Sequence, residues 1–180
     1  MRVVIQRVKR ASVIIDEQTV SEIGKGLMCL IGIHEEDRRE HAEWMSKQIL
    51  TAKLFEGLGE ENADKRWRSN VKQNGFEVLI VSQFTLNGRV CRKGSVDFGG
   101  SMPPAEARDF YEKFFRMVQE SHSPDLVKDG VFGAKMEVSL VNDGPITVIV
   151  DSKEMGEVGV GASKKTGAAS GAARAGEAES

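Results

Sequence analysis

Along the chain the spacing of apolar and polar positions changes several times, and each change marks an element. Met1 to Val8 and Ser12 to Ile15 are rich in β-branched residues and predict two strands, with Arg7, Lys9 and Arg10 clustered between them. That cluster reads either as solvated turn charges or as a phosphate-facing patch. Gly24-Lys25-Gly26 punctuates the chain, and Leu27 to Ile33 is nearly all apolar, as a strand covered on both faces would be. From Asp37 to about Leu54 the period lengthens. Ala42, Met45, Ile49 and Ala52 fall on one helical face, with Asp37 and Glu40 in the places of a capping box.

The segment from Glu56 to Asn74 is polar and holds Lys65-Arg66-Trp67-Arg68, expected to be a surface loop with Trp67 tucked onto the domain. The alternative is an RNA contact by stacking and charge. Phe76 to Leu86 reads as a buried strand that turns polar at its C-terminal end, where rigid strands often present binding groups. A glycine-containing loop with Arg89, Arg92 and Lys93 runs to Pro104. There a second helix opens, with Ala107, Tyr111, Phe114 and Val118 as its core face. Val138 to Val150 consists of two β-branched runs around Asn142-Asp143-Gly144-Pro145, which predicts a hairpin turn. Pro145 sits awkwardly in that reading, because it has no N–H for a ladder. The sharper alternative is a rigid Gly-Pro wedge whose carbonyls face a ligand.

Composition narrows the function without choosing it. The 180 residues carry 25 Lys and Arg against 27 Asp and Glu, which argues against a strongly basic nucleic-acid coat. Cys29 and Cys91 suggest no disulfide framework, and His34 and His41 lack a second ligand pair at metal spacing, so no metal or cofactor is expected. No basic-then-apolar leader and no run of membrane-spanning length occur, so a soluble, cytoplasmic protein is expected. Met155 to Ser180 is dominated by Gly, Ala, Ser, Lys and Glu and reads as disordered. Ser82 and Thr85 are nucleophiles by type, but neither has a His, Lys or acid beside it in sequence.

Several motifs in order resemble one family. They are Ile5-Gln6-Arg7-Val8-Lys9-Arg10-Ala11-Ser12-Val13, Gly24-x-Gly26-Leu27, Val81-Ser82-Gln83-Phe84-Thr85-Leu86, the Pro104-to-Ala107 helix entry and Val141-Asn142-Asp143-Gly144-Pro145-Ile146-Thr147. Together they look like the D-aminoacyl-tRNA deacylases. The resemblance implies an α/β fold with a compact, barrel-like β-sheet core and two main helices over residues 1–153; the compositional tail over 154–180 lies outside the family's pattern. It implies hydrolysis of the ester joining a D-amino acid, or glycine, to the tRNA 3′ end, by a homodimer with sites near the subunit interface. It assigns Ser82, Gln83, Phe84 and Thr85 to the pocket for the terminal adenosine and aminoacyl group, and Met136 to its wall. Gly144 and Pro145, joined by a cis bond, become the selectivity element that enters the partner's pocket. One departure touches the pocket border, where Val96 stands in place of the family's proline. Two other readings compete: a non-enzymatic nucleic-acid-binding module using Arg7, Lys9, Arg10, Arg66, Arg68 or the tail, and a generic hydrolase centred on Cys91 or Ser82.

Overall fold

β-Branched residues dominate the first strand, β1, which runs unbroken from Arg2 to Ile15 and pairs with almost everything around it. The structure, a computed structural model, describes residues 1–156. The expected tail, but for its first three residues, lies outside the described residues. Asp16 and Glu17, with φ of 47° and 63°, form a two-residue turn into β2 (Gln18–Ile23). Two positive φ values give a turn the right-handed twist that antiparallel neighbours need.

Strand β3 (Gly26–Gly32) pairs antiparallel with the first half of β1. Helix α1 (Arg39–Thr51) and a single-turn helix α2 (Val71–Asn74) then return the chain to β4 (Glu77–Ser82), parallel to β3. A small hairpin of β5 (Arg89–Val90) and β6 (Val96–Asp97) precedes α3 (Pro104–Ser121). Helix α3 crosses to β7 (Val127–Asp129), parallel to β4. Finally β8 (Glu137–Asp151) runs the whole length of β1. The sheet order is β2-β1-β3-β4-β7, with β8 on the other side of β1, and the result is the barrel-like α/β fold expected.

Two apolar clusters hold this sheet, one on each face. Val3, Ile5, Leu27, Cys29, Ile31 and Ile80 pack against Met45 and Ile49 of α1 and Tyr111, Phe114 and Val118 of α3. Met28, Leu79 and Val81 face the other way and meet Val8, Ala11, Val13 and Ile23. β1 serves both clusters because its register slips at Lys9, a bulge that bends the strand around. Both helices present the faces that their spacing predicts, with Ala42, Met45 and Ile49 on α1 and Ala107, Tyr111, Phe114 and Val118 on α3, except that α1 ends at Thr51 and Ala52 is its C-cap. Each such side chain stabilises the fold by about 1.5–3 kcal/mol when taken out of water.

Four expectations about local structure are corrected. β1 is one strand, so Arg7, Lys9 and Arg10 are not turn charges, and Arg7 is buried. β8 is also one strand, so Asn142 to Pro145 is no hairpin turn. Its neighbours Asn142 and Ile146 pair with the adjacent residues Val8 and Arg7, leaving Asp143, Gly144 and Pro145 as a three-residue bulge. Proline is tolerated there because a bulge asks for no ladder hydrogen bond. Asp37 does not cap α1. It accepts the His34 N–H at 2.6 Å and pairs with the Met1 amine, while Arg38 takes the N-cap position. Trp67 is not tucked in; it stands 51% exposed with φ 61°. No helix is long and apolar enough to cross a membrane among the described residues.

Candidate active site

At the polar end of β4 the ladder stops and a cleft of about 670 Å³ opens between the sheet, the start of α3 and the segment before β8. Ser82 is the last residue paired to β3, and the Gln83 N–H still reaches Ile31 O at 2.7 Å. Phe84 to Asn87 then coil into a 3-10 turn. The first N–H groups of such a turn have no partner inside it. Among the described residues neither the Phe84 nor the Thr85 N–H finds an acceptor. Both therefore lack a partner within the described chain, one on a residue that lines the cleft and the other on the residue next to it.

Three contacts fix this turn. Arg2 donates through Nη1 to Leu86 O at 2.9 Å while its other face grips Asp151 at 2.9 and 3.1 Å. Asn87 donates to Ile33 O at 2.8 Å, and Ser101 Oγ to Phe84 O at 3.1 Å. Gln83 Nε2 donates to Thr85 Oγ1 at 2.5 Å, so the threonine hydroxyl is held by an amide and not by a base. The Phe84 ring meets Phe98 edge-on, centroids 5.2 Å apart.

The cleft is lined by Ser82, Gln83, Phe84 and Met136, together with Phe98, Phe132 and residues of the α3 entry. No Asp, Glu, His, Lys, Arg, Cys or Tyr belongs to that lining. Thr85 lies on the adjoining turn and is exposed. Cys91 is exposed between β5 and β6 and is not among the residues that line the cleft. The cleft can hold an apolar or aromatic group and stack a flat ring, and two N–H groups without acceptors lie at its edge, on Phe84 and the adjoining Thr85. It has no side chain to take a proton.

Gly144 and Pro145 are not part of this cleft. Their bulge lies where Arg7 sits, at the foot of the segment Leu54–Glu56. Arg7 donates Nη1 to Leu54 O at 2.8 Å and to Glu56 Oε1 at 3.0 Å, and pairs Nε with the Asp143 carboxylate at 3.2 Å. The Gly144–Pro145 peptide bond is cis and Gly144 has φ 122°. A Cβ on Gly144 would come within 2.9 Å of the Ile146 nitrogen, so glycine is required on both counts. Arg7 was legible in part: alternation along β1 places it in phase with Val3 and Ile5, the core-facing residues. Phe98, Phe132, Arg2 and Asn87 carry no comparable signal, because only tertiary structure brings their segments to the turn.

Behind the cleft wall lies one perturbed acid. Asp129, at the end of β7, pairs with the hydroxyl of Tyr111, whose ring packs 5.4 Å from that of Phe132. Burial pushes the Asp129 carboxyl up to about 6, against the Tyr111 hydrogen bond, which works the other way. Between its ordinary value of 3.8 and about 6 the folded state keeps a proton that the unfolded state has released. Stability contributed by this group is therefore present at low pH and lost as pH rises through that window. Urea midpoints at pH 4 and pH 6.5 are expected to fall less in Asp129→Asn than in the unchanged protein. Identical pH slopes in the two proteins would remove the assignment.

Known proteins resemble the chain over the same residues. The family model described as D-Tyr-tRNA(Tyr) deacylase matches residues 4–151. A D-aminoacyl-tRNA deacylase of Dictyostelium discoideum is 42% identical over 154 residues, spanning 86% of this chain and 99% of its own. D-aminoacyl-tRNA deacylase 1 of Homo sapiens is 39% identical over 156 residues, spanning 87% of this chain and 72% of its own. A solved structure described as c-Myc DNA Unwinding Element Binding Protein superposes with a TM-score of 0.78 at 40% identity, covering 84% of this chain and 98% of that one. Another, described as a probable eukaryotic D-amino acid tRNA deacylase, has a TM-score of 0.69 at 21% identity, covering 83% and 97%, and speaks to the fold alone.

Proposed function

The chain belongs to the D-aminoacyl-tRNA deacylase family, and from that premise we propose that it is a proofreading esterase that frees tRNA from D-amino acids or glycine and spares L-aminoacyl-tRNA. The carrying observation is the pairing of two unpartnered N–H groups, on Phe84 and Thr85, with a cleft that no ionisable side chain lines. Ester hydrolysis needs a polarised water and a partner for the oxyanion. Backbone donors meet the second need. The first falls to the substrate, whose terminal ribose carries a 2′-OH beside the 3′ ester. Ser82, Gln83, Phe84 and Met136 then enclose the terminal adenosine and aminoacyl group, and Thr85 positions them through its hydroxyl.

Chirality follows from exclusion. If the Gly144 and Pro145 carbonyls hold the substrate's amino group, an L side chain would point into backbone, whereas a D side chain or a hydrogen points away. Tolerance of many D-amino acids, and of glycine, is the natural consequence. The bulge lies against Arg7 and outside the cleft of its own chain, which supports a homodimer in which each copy's bulge closes the other's cleft. The same reading places the protein in the cytoplasm, where tRNA is charged.

Purified protein is expected to release D-tyrosine from D-tyrosyl-tRNA while L-tyrosyl-tRNA survives at equal enzyme concentration. Hydrolysis of both substrates alike, or of neither, overturns the reading. The relative described as a DNA unwinding element binding protein favours a second reading, a nucleic-acid-binding module without turnover. Salt-sensitive DNA binding with both esters intact would select it.

A further inference from the structure

The β5–β6 hairpin is a poor piece of fold. Its strands are two residues each, and every residue from Arg89 to Gly99 is exposed. Isolated two-stranded hairpins of this size are marginal in water. Its one ion pair, Arg89 with Asp97 at 3.6 Å, joins side chains that are 80% and 48% exposed and adds little. What the hairpin does carry is charge. Arg89, Arg92 and Lys93 face a single acid, Asp97, within nine residues of a chain whose net charge is -2.

Both feet of the hairpin are fixed to the rim of the cleft. At one foot the Gly88 N–H donates to Thr85 O at 2.9 Å. At the other, Phe98 packs on Phe84 and lies so close to Gly88 that an added Cβ would meet its ring at 2.7 Å. The Phe84–Phe98 rim offers a polynucleotide whose last nucleoside occupies the cleft one way out. Phosphates that follow this way pass the hairpin, whose cations lie outside the cleft lining, with Arg89 on the neighbouring hollow beside Asn87 and Gly88. Another exposed basic cluster, around Lys65 and Arg68, is carried on a loop closed by the Phe55–Ser69 bridge, beside Arg7, and contributes nothing to the cleft lining.

We propose that the Arg89–Asp97 hairpin is a phosphate platform that engages the single-stranded acceptor end of the substrate RNA through Arg89, Arg92 and Lys93. The proposal rests on the deacylase reading above and adds to it the surface that distinguishes a tRNA from a bare aminoacyl nucleoside. These residues do no chemistry, so their loss acts on KM and leaves kcat in place. Three phosphate contacts on a single strand correspond to about 2 in the slope of log affinity against log salt.

The test compares the full chain with its Arg89→Ala/Arg92→Ala/Lys93→Ala variant on two substrates, D-tyrosyl-tRNA and 3′-O-D-tyrosyl-adenosine, across a salt series. On the tRNA, KM is expected to rise about ten-fold or more and the salt slope to flatten by about 2, with kcat changed by less than about two-fold. On the adenosine ester both proteins act alike, and the charge-preserving Arg89→Lys/Arg92→Lys variant stays near the parent on tRNA. Unchanged KM and slope on tRNA overturn the platform. Parallel loss on the adenosine ester overturns it too, because the hairpin would then be supporting the cleft itself. If the parent protein cleaves neither ester, the deacylase reading fails first and the platform falls with it.

Discussion

A substrate ending in 2′-deoxyadenosine is expected to be hydrolysed about 10²–10⁴-fold more slowly than its ribose counterpart, the range that a positioned acid–base group supplies. Thr85→Ala, by contrast, is expected to cost about five-fold, the equivalent of one hydrogen bond of about 1 kcal/mol. The two numbers answer one question: where the proton-handling group resides. No ionisable side chain lines the cleft, and the Thr85 hydroxyl is engaged by the Gln83 amide and not by a base. An unactivated threonine is a weak nucleophile. If it were nonetheless the attacking group, its removal would cost on the order of 10⁶-fold, as loss of a covalent nucleophile does elsewhere. Single-turnover hydrolysis of the matched ribose and deoxyribose esters, with and without Thr85→Ala, separates these cases. A deoxy substrate cleaved at the ribose rate would show that the RNA contributes nothing to catalysis. The proposed oxyanion role of the Phe84 and Thr85 N–H groups would survive that result, since it does not depend on the ribose.

Much of this architecture was legible in the residues. Helical spacing at Ala107, Tyr111, Phe114 and Val118 named the buried face of α3, because a helix has one way to bury a stripe of that width. The polar turn at the end of β4 was legible from the change at Ser82 and Gln83, but the residues predict a strand through Leu86, whereas it ends at Ser82 and Phe84 to Asn87 coil into a 3-10 turn. Chain continuity was not legible. Glycine, proline and clustered charges punctuate turns and bulges alike, so Arg7 to Arg10 and Asn142 to Pro145 read as breaks when each is an irregularity inside a long strand. Local sequence does not say that two strands of 14 and 15 residues will support each other through such irregularities. The site was half legible. Ser82, Gln83, Phe84 and Met136 share one cleft with Thr85 beside it, while Gly144 and Pro145 lie apart from it. The clamps on the turn, Arg2 and Asn87, act through Leu86 O and Ile33 O, and no pattern along the chain announces a backbone acceptor.

Arg7→Ala should be the most damaging single change away from the cleft, on both stability and selectivity. The guanidinium is one of few charged groups in the interior, and it bonds Leu54 O, Glu56 and Asp143 at once, with the Phe55 ring 5.7 Å from its carbon. Its loss leaves a carbonyl without its donor and two carboxylates without their cation. The Glu56 carboxyl is held below its usual range first by a backbone hydrogen bond and then by Arg7, so part of that hold goes as well. Breaking a buried pair costs about 3–5 kcal/mol, and because Glu56 and Asp143 keep some access to water the lower end is expected, about 3 kcal/mol in a urea titration. Arg7→Lys should recover little of it, since one ammonium does not span three acceptors in a planar fork. The functional effect is separable from the structural one. Asp143 is the first residue of the bulge, so freeing it frees Gly144 and Pro145, and a displacement near 1 Å of a positioning element costs about 10²-fold. At a temperature where the variant remains folded, kcat/KM on D-tyrosyl-tRNA should therefore fall by about that factor while L-tyrosyl-tRNA gains relative to it. A variant that is less stable yet keeps the parent's D-to-L ratio would confine Arg7 to the fold, and would leave the bulge to be held by its strand neighbours alone.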